Sequence, residues 1–150
     1  MNLDRLNWKI LQYLQREGRS SLKQLGQKIG LSLPAASERV KKLEEAGVIC
    51  GYRAEVYPES VGYAVTAQIG ITAPQPLKEA FLATLDKMPE VLECLHVTGN
   101  DSYLLRVVAR DLQHLEAFVG EINHFGETRT SIVLSQPIRR RAVAPVVDKP

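Results

Sequence analysis

The residue types between positions 32 and 42 are suited to contacts with a polyanion. Lys41 and Lys42 are neighbouring cations, and a lysine can neutralise a phosphate whatever the base beside it. Small or polar side chains come just before them, in the first turns of a predicted helix: Ser32, Pro34, Ala35, Ser37 and Glu38. Because the first turns of such a helix usually reach base edges, we predict that this segment binds double-stranded DNA.

Three kinds of charged residue in this segment have alternative roles. Glu38 can accept a hydrogen bond from a cytosine amine, or it can repel phosphates and discriminate by exclusion. Arg39 borders the apolar stripe of the helix, where it can contact a phosphate or form an ion pair with a neighbouring acid. For Lys41 and Lys42, the alternative is an ordinary solvated helix face.

The surrounding pattern predicts a helix-turn-helix. One helix is predicted to end near Gly30, which suits the backbone conformation at a helix end, and its apolar residues are Leu22, Leu25 and Ile29. The next is predicted to begin at Ser32, and it has an apolar stripe and a closing glycine: Ala36, Val40, Leu43 and Gly47. An earlier stripe predicts a supporting helix from about Asp4 to Gly18: Leu3, Leu6, Ile10 and Leu14. Residues 48–56 then predict a strand that leads away.

Charge distinguishes the two ends of the chain. Residues 1–53 carry ten Lys and Arg against five Asp and Glu, and residues 54–150 carry nine against twelve, so +5 and −3 give the overall +2. A basic N-terminal part with a helix-turn-helix pattern favours nucleic acid as the partner. Cys50 and Cys94 have no partners at metal-ligand spacing, so we predict buried, reduced thiols and neither metal nor cofactor. The chain shows no leader and no long apolar run, which predicts a cytoplasmic protein without membrane contact.

The pattern changes near Tyr57 and Pro58, which predicts two domains. We expect a helix-turn-helix domain over residues 1–53, a linker strand over 54–61, a second domain over 62–137 and a tail over 138–150. The tail contains the run Arg139-Arg140-Arg141 and is predicted to be solvated or frayed.

The second domain is predicted to have the order βαββαβ. Its strands are expected at residues 62–72, 91–98, 102–110 and 128–136, and its two helical stripes begin at Leu77 and Leu112. The link Gly99-Asn100-Asp101 is turn-forming and predicts a hairpin between the middle strands. This order predicts a ferredoxin-like antiparallel sheet with both helices on one face. We expect apolar side chains on the other face and a second subunit that covers them.

Taken together, these residues resemble the leucine-responsive (Lrp/AsnC) transcriptional regulators from Leu3 to about Pro137. The shared landmarks, in chain order, are Leu3-Asp4, Ile10-Leu11, Gly18-Arg19, Leu31-Ser32, Arg39-Val40-Lys41-Lys42-Leu43-Glu44, Gly47-Val48-Ile49, Gly51-Tyr52, Val97-Thr98-Gly99, Tyr103-Leu104-Leu105 and Thr128-Arg129-Thr130. Each landmark is weak alone, and their order makes the set specific. The resemblance implies an α+β fold, with a three-helix winged helix-turn-helix followed by a ferredoxin-like domain of the RAM or ACT type.

The resemblance also implies a function. Proteins of this family control transcription as operator-binding dimers that assemble into octamers or similar discs, often tuned by an amino acid. The family's effector site maps here to the link between the middle strands: Gly99, Asn100, Asp101, Ser102 and Tyr103. Members that bind amino acids commonly carry Asp where this chain has Ser102. A hairpin turn without a ligand is the alternative for this segment.

Two other classes of function are alternatives to a regulator. Some proteins that resemble this family are enzymes that decarboxylate haem-pathway tetrapyrroles with His and Arg near the sheet, so a siroheme-decarboxylase-like enzyme is one alternative. The histidines His96, His114 and His124 form no spaced cluster, however, and each is predicted to be structural. An assembly protein that has lost DNA binding would lack outward lysines, which Lys41 and Lys42 contradict.

Overall fold

The computed structural model describes residues 3–146, which form two compact units. One unit comprises residues 3–55 together with 138–146, and the other comprises Val56–Pro137. None of the helices in the described part of the chain is long and apolar enough to cross a membrane.

The first unit contains three helices, α1 (Arg5–Arg16), α2 (Leu22–Ile29) and α3 (Leu33–Glu45). Their apolar stripes meet in a buried cluster: Ile10, Leu11, Leu25, Val40 and Leu43. The predicted boundaries are confirmed by capping geometry, since Gly30 ends α2 in the left-handed region and the Ser32 hydroxyl accepts from the backbone N–H of Ala35. Asp4 caps α1 by accepting from the backbone N–H of Asn7 at 2.7 Å.

The prediction of strands over residues 48–56 and in the linker 54–61 is wrong. The N–H groups of Val48 and Ile49 both donate to the Leu43 carbonyl and close the end of α3. Residues 50–57 belong to no ladder, and Pro58–Val61 is a short 3-10 helix. An extended segment becomes a strand only beside a partner, and no described residue pairs with this one. Tyr52 instead donates to the Glu44 carboxylate at 2.9 Å. Desolvation of the Tyr52 hydroxyl and the nearby charge of Glu44 together raise the pKa of Tyr52 to about 12.

The second unit has the predicted order of elements. Its strands and helices are β1 (Val65–Thr72), α4 (Lys78–Leu85), β2 (Val91–His96), β3 (Tyr103–Ala109), α5 (Leu112–Ile122) and β4 (Glu127–Ile132), with 3-10 turns at Gln75–Leu77 and Asn123–Phe125. All strand pairs are antiparallel and the sheet order is β2-β3-β1-β4, as expected for a ferredoxin-like fold. The predicted hairpin of β2 and β3 is confirmed.

Both helices pack on one face of the sheet. The core between them contains Phe81 and Leu85 of α4, Leu115, Phe118 and Ile122 of α5, and inward residues such as Ile69, Ile71, Leu105 and Val107. The opposite face, called here the outer face, carries the expected apolar side chains together with polar and charged ones. Leu95 and Leu104 are register partners on it, but Gln68 opposite Arg106 and Gly70 opposite Arg129 lie there too.

Two predictions at the C-terminal end need correction. β4 ends at Ile132, the register partner of Ala67, rather than at residue 136. The Val133 N–H still donates to the Thr66 carbonyl at 2.8 Å, and β1 begins only one residue before Thr66, at Val65, so it offers no partners for a strand that continues to residue 136. The tail is not simply solvated: the Val143 N–H donates to the Gln15 side-chain oxygen at 2.7 Å, and the Gln15 amide donates back to the Val143 carbonyl at 3.2 Å. Residues 147–150 of the predicted tail lie outside the described residues.

Candidate functional site

The exposed side of α3 carries the two predicted phosphate-binding lysines. The Lys41 and Lys42 side chains are 73% and 61% exposed, and each forms an ion pair one helical turn away. The Lys41 ammonium lies 3.6 Å from Glu45, and that of Lys42 lies 2.7 Å from Glu38 and lowers the pKa of the Glu38 carboxyl. The exposed side of α3 therefore carries two lysines whose charges are partly neutralised by Glu45 and Glu38.

The first turns of α3 hold the predicted base-reading residues. Pro34 is exposed, Ala35 and Ser37 are half-buried, and the Ser32 hydroxyl is already used as the helix cap. A shallow groove of about 290 Å³ lies beside them, lined by Asn7, Ala35, Glu38, Arg39 and Lys42. At this groove the start of α1 lies next to the exposed side of α3.

Of the two alternatives for Arg39, the structure shows the ion pair. One guanidinium nitrogen donates to the Asp4 carboxylate at 2.8 Å and to the Asn7 side-chain oxygen at 2.9 Å. The backbone N–H of Asn7 and the Arg39 guanidinium hold the pKa of Asp4 below its ordinary value. Asp4 and Asn7, which the sequence pattern did not assign to this site, thus join the start of α1 to α3.

Two substitutions at Asp4 separate its role as the cap of α1 from the role of its charge. Asp4→Ala removes both and is expected to lower the midpoint of thermal unfolding by several degrees, whereas Asp4→Asn keeps a capping oxygen and costs less. The folded-state pKa of Asp4 is lowered, so its charge stabilises the fold above about pH 4 and stops doing so as the pH falls through the folded pKa. Thermal unfolding of wild type and Asp4→Asn between pH 3 and pH 7 should show a difference that shrinks at low pH. A constant difference would contradict the role of the charge.

The second candidate site is the link between β2 and β3, residues 97–102, called here the β2–β3 loop. Gly99 has a φ of +120°, which favours glycine. The Asn100 carbonyl accepts from the Thr72 hydroxyl at 2.9 Å, and the Ser102 N–H donates to the Ile71 carbonyl at 2.9 Å. The loop is therefore fastened to the end of β1.

Asp101 turns onto the outer face of the sheet. Its carboxylate forms an ion pair with the Arg129 guanidinium of β4. A Cβ on Gly70 would lie only 2.5 Å from an Asp101 carboxylate oxygen, so a larger residue at position 70 would displace this carboxylate. Sequence reasoning missed Gly70, Thr72 and Arg129 as neighbours of the loop, because no local pattern shows which residues β1 and β4 bring beside it.

The Tyr103 side chain lies in the core, whereas the other four residues predicted for the effector site lie in the β2–β3 loop. It is 5% exposed, and its ring centroid lies 5.4 Å from Phe81 and 4.9 Å from His96. Tyr103 is the register partner of Ile71, and both side chains point toward the helices. Tyr103 therefore supports the loop from the core, while Gly99, Asn100, Asp101 and Ser102 form it.

The histidines have local structural partners. His114 hydrogen-bonds Glu90 at 3.1 Å and accepts from the Arg110 N–H at 3.2 Å, while His124 lies against Phe125. Within residues 3–146, no three His, Cys, Asp or Glu side chains are grouped so that they could hold a metal ion. The prediction that both cysteines are buried is wrong for Cys50, which is exposed. Cys94 is half-buried, and burial raises the pKa of its thiol.

Two family models match the two units. The Lrp/AsnC ligand binding domain matches residues 66–143, and a winged helix-turn-helix DNA-binding domain matches residues 3–49. The uncharacterized HTH-type transcriptional regulator YezC of Bacillus subtilis is 39% identical over 133 residues, which cover 89% of this chain and 94% of YezC. The leucine-responsive regulatory protein of Rhizobium meliloti is 38% identical over 124 residues, covering 81% and 80% of the two chains.

Solved structures show the same fold. LrpC of Bacillus subtilis has a TM-score of 0.89 at 29% identity and covers 93% of this chain and 100% of its own. A transcriptional regulator of Neisseria meningitidis in complex with L-methionine has a TM-score of 0.88 at 33% identity, with 95% and 96% covered. These relatives are regulators and give no support to the decarboxylase alternative. The chain therefore belongs to the Lrp/AsnC family of DNA-binding transcriptional regulators.

Proposed function

We propose that this regulator binds its operator through the exposed side of α3, and that an amino acid bound at the β2–β3 loop tunes its activity. The observation that carries the DNA part is the exposure of Lys41 and Lys42 on the helix that follows the helix-turn-helix turn. Their carboxylate partners are also exposed, and exposed ion pairs contribute little stability. A DNA phosphate can therefore replace Glu38 or Glu45 at low cost.

The base-reading part of the proposal concerns the start of α3. Ser32, Pro34, Ala35, Ser37 and Glu38 occupy the turns that enter the major groove in helix-turn-helix proteins. Arg39 has a positioning role in this proposal, because its ion pair with Asp4 ties α3 to α1. Glu38 lowers affinity for all DNA and accepts from a cytosine amine at a matching site.

The assembly part of the proposal rests on the outer face of the sheet. Leu95 is 47% exposed there, beside its register partner Leu104, and a second copy of the chain is proposed to cover them. A two-fold dimer would present two α3 helices to a roughly palindromic operator, with half-sites one helical turn or a multiple of it apart. We further propose that these dimers assemble into an octamer or a similar disc. The regulator is proposed to act in the cytoplasm.

Two observations support an amino-acid effector at the β2–β3 loop. The loop presents polar backbone groups and the Asp101 carboxylate near the surface, and one solved neighbour is a complex with L-methionine. A ligand that binds only the folded protein raises its unfolding temperature. A thermal-shift screen against the twenty amino acids should therefore give a positive shift with at least one of them.

Lys41→Ala tests the phosphate contact. It should weaken binding to a random-sequence duplex and to selected operator fragments alike, and the slope of log affinity against log salt should become shallower by about one. Glu38→Gln is the matched opposite change, since it frees the Lys42 charge and should strengthen binding to the random duplex. Fluorescence anisotropy at several salt concentrations measures both. A Lys41→Ala protein with altered site preference and an unchanged salt slope would refute the phosphate role.

A further inference from the structure

Asn7 is a buried polar residue of the helical unit, and only half of its side-chain amide has a partner. It lies in the first turn of α1 and is 5% exposed. Its side-chain oxygen accepts from the Arg39 guanidinium at 2.9 Å. Because arginine only donates, this bond fixes the orientation of the amide, with the oxygen toward Arg39 and the nitrogen Nδ2 turned away from it.

The Asn7 Nδ2 atom points a hydrogen-bond donor at the surface. Within residues 3–146 it has no acceptor. In the same part of the chain, no fully buried side-chain nitrogen or oxygen lacks a partner, so Nδ2 must be accessible. The surface beside Asn7 is the groove that also has Ala35, Glu38, Arg39 and Lys42 in its walls, called here the α1–α3 groove.

The α1–α3 groove combines this donor with two cations. The Lys42 and Arg39 side chains are 61% and 31% exposed and lie in its walls with Asn7. Among the described lining residues only Glu38 is acidic, and its carboxylate is 67% exposed. Ammonium, guanidinium and amide N–H groups together suit an anion with several acceptor oxygens, such as a phosphate.

We propose that a phosphate of the DNA backbone binds in the α1–α3 groove, where Asn7 Nδ2 donates to it alongside Lys42. The first turns of α3 reach base edges, and residues beside a recognition helix meet the phosphates that flank the major groove. Arg39 keeps its positioning role, because it holds the Asn7 amide in the orientation that donates. This inference rests on the proposed DNA contact of α3 and adds a contact from α1.

The two donors are prepared to different degrees. Lys42 must exchange the Glu38 carboxylate for the phosphate, and opening this exposed ion pair costs little. Asn7 needs no rearrangement, since Arg39 already fixes its amide, and a donor held in place loses little conformational entropy on binding.

Asn7→Asp tests the donor without removing the acceptor for Arg39. The new carboxylate can still accept from Arg39, and a negative charge in the first turn of α1 is favoured by the helix dipole. The unfolding midpoint should therefore stay the same or rise. Affinity for a random-sequence duplex, measured by fluorescence anisotropy, should fall about tenfold or more, because a donor to the phosphate becomes a repelling charge. A residue that only held Arg39 in place would not lose affinity.

Gln12→Glu is the matched control for the added charge. Gln12 is exposed on α1 and is not among the described residues that line the groove. The same charge at this position should lower affinity by about twofold or less, since it acts on the DNA only through water and salt.

Asn7→Ala removes the donor without changing the charge. It should weaken binding several-fold, and the slope of log affinity against log salt should stay unchanged, because that slope depends on the charges that neutralise phosphates. This response differs from that of Lys41→Ala, for which the slope becomes shallower.

Neutral phosphates locate the contact. In a selected operator, one phosphate at a time is replaced by a methylphosphonate. At the phosphate that binds in the groove, the replacement should cost Asn7→Ala less affinity than it costs wild type, and at other phosphates the two costs should be equal.

The outcomes separate this inference from the proposed function. If Asn7→Asp binds as well as Gln12→Glu, or if no phosphate is coupled to Asn7, the phosphate contact is wrong, and a shallower salt slope for Lys41→Ala would leave the DNA contact of α3 standing. If neither Lys41→Ala nor Asn7→Asp changes binding to any duplex, both are overturned.

Discussion

Gly126→Ala is expected to destabilise the second unit by about 3 kcal/mol or more, at or above the upper end of the usual cost of overpacking. An alanine Cβ at this position would overlap the Thr72 carbonyl oxygen and lie 2.8 Å from the Thr72 carbonyl carbon. Both atoms are backbone at the end of β1, so no flexible side chain can move aside. The backbone of Gly126 is extended, with φ 164°, and the cost is therefore steric. Relief requires β1 to separate from the segment that enters β4.

Gly120→Ala is the matched control for this prediction. Gly120 lies in α5, is exposed, and has nothing within 4 Å of an added Cβ. Alanine is the better helix former, so this variant should gain up to about 1 kcal/mol. Denaturant unfolding of both proteins gives the comparison. Equal stability of Gly126→Ala and wild type would show that Thr72 does not approach position 126 as closely as described.

Local patterns predicted the elements and their ends. The caps at Ser32 and Gly30 follow from residue types within one or two helical turns, and the structure confirms them. The order βαββαβ follows in the same way from the alternation of apolar residues. Alternation could also have identified Tyr103 as a core residue, because it is in phase with the inward Leu105 and Val107.

The remainder depends on contacts between distant residues. The partner of Arg39 is 35 residues away, and that of Asp101 is 28 residues away on a different strand. Such pairs depend on the sheet order and on helix packing, which no single segment specifies. Residues 48–56 failed as a strand for the same reason, since β propensity cannot show whether a partner lies alongside.

Gly26→Ala is expected to weaken specific DNA binding at least about tenfold, which corresponds to about 1.4 kcal/mol, while the protein remains folded. Gly26 is buried in α2, and an added Cβ would lie 2.7 Å from the Leu31 carbonyl oxygen in the turn before α3. That oxygen belongs to the backbone, so the turn must move and α3 must move with it. Alanine's helix preference, worth about 1 kcal/mol over glycine, offsets part of the stability cost.

The two kinds of DNA binding should respond differently to this change. Specific binding depends on the angle at which the first turns of α3 meet the base edges, whereas binding to a random duplex depends mainly on charges such as Lys41, which stay exposed. Anisotropy titrations with a selected operator and a random duplex should therefore show a larger decrease in affinity for the operator. Gly18→Ala is the control, because its Cβ would make only an ordinary 3.6 Å contact with the Leu14 carbonyl oxygen. Equal decreases on both duplexes would mean that the turn controls folding of the whole unit rather than the direction of α3.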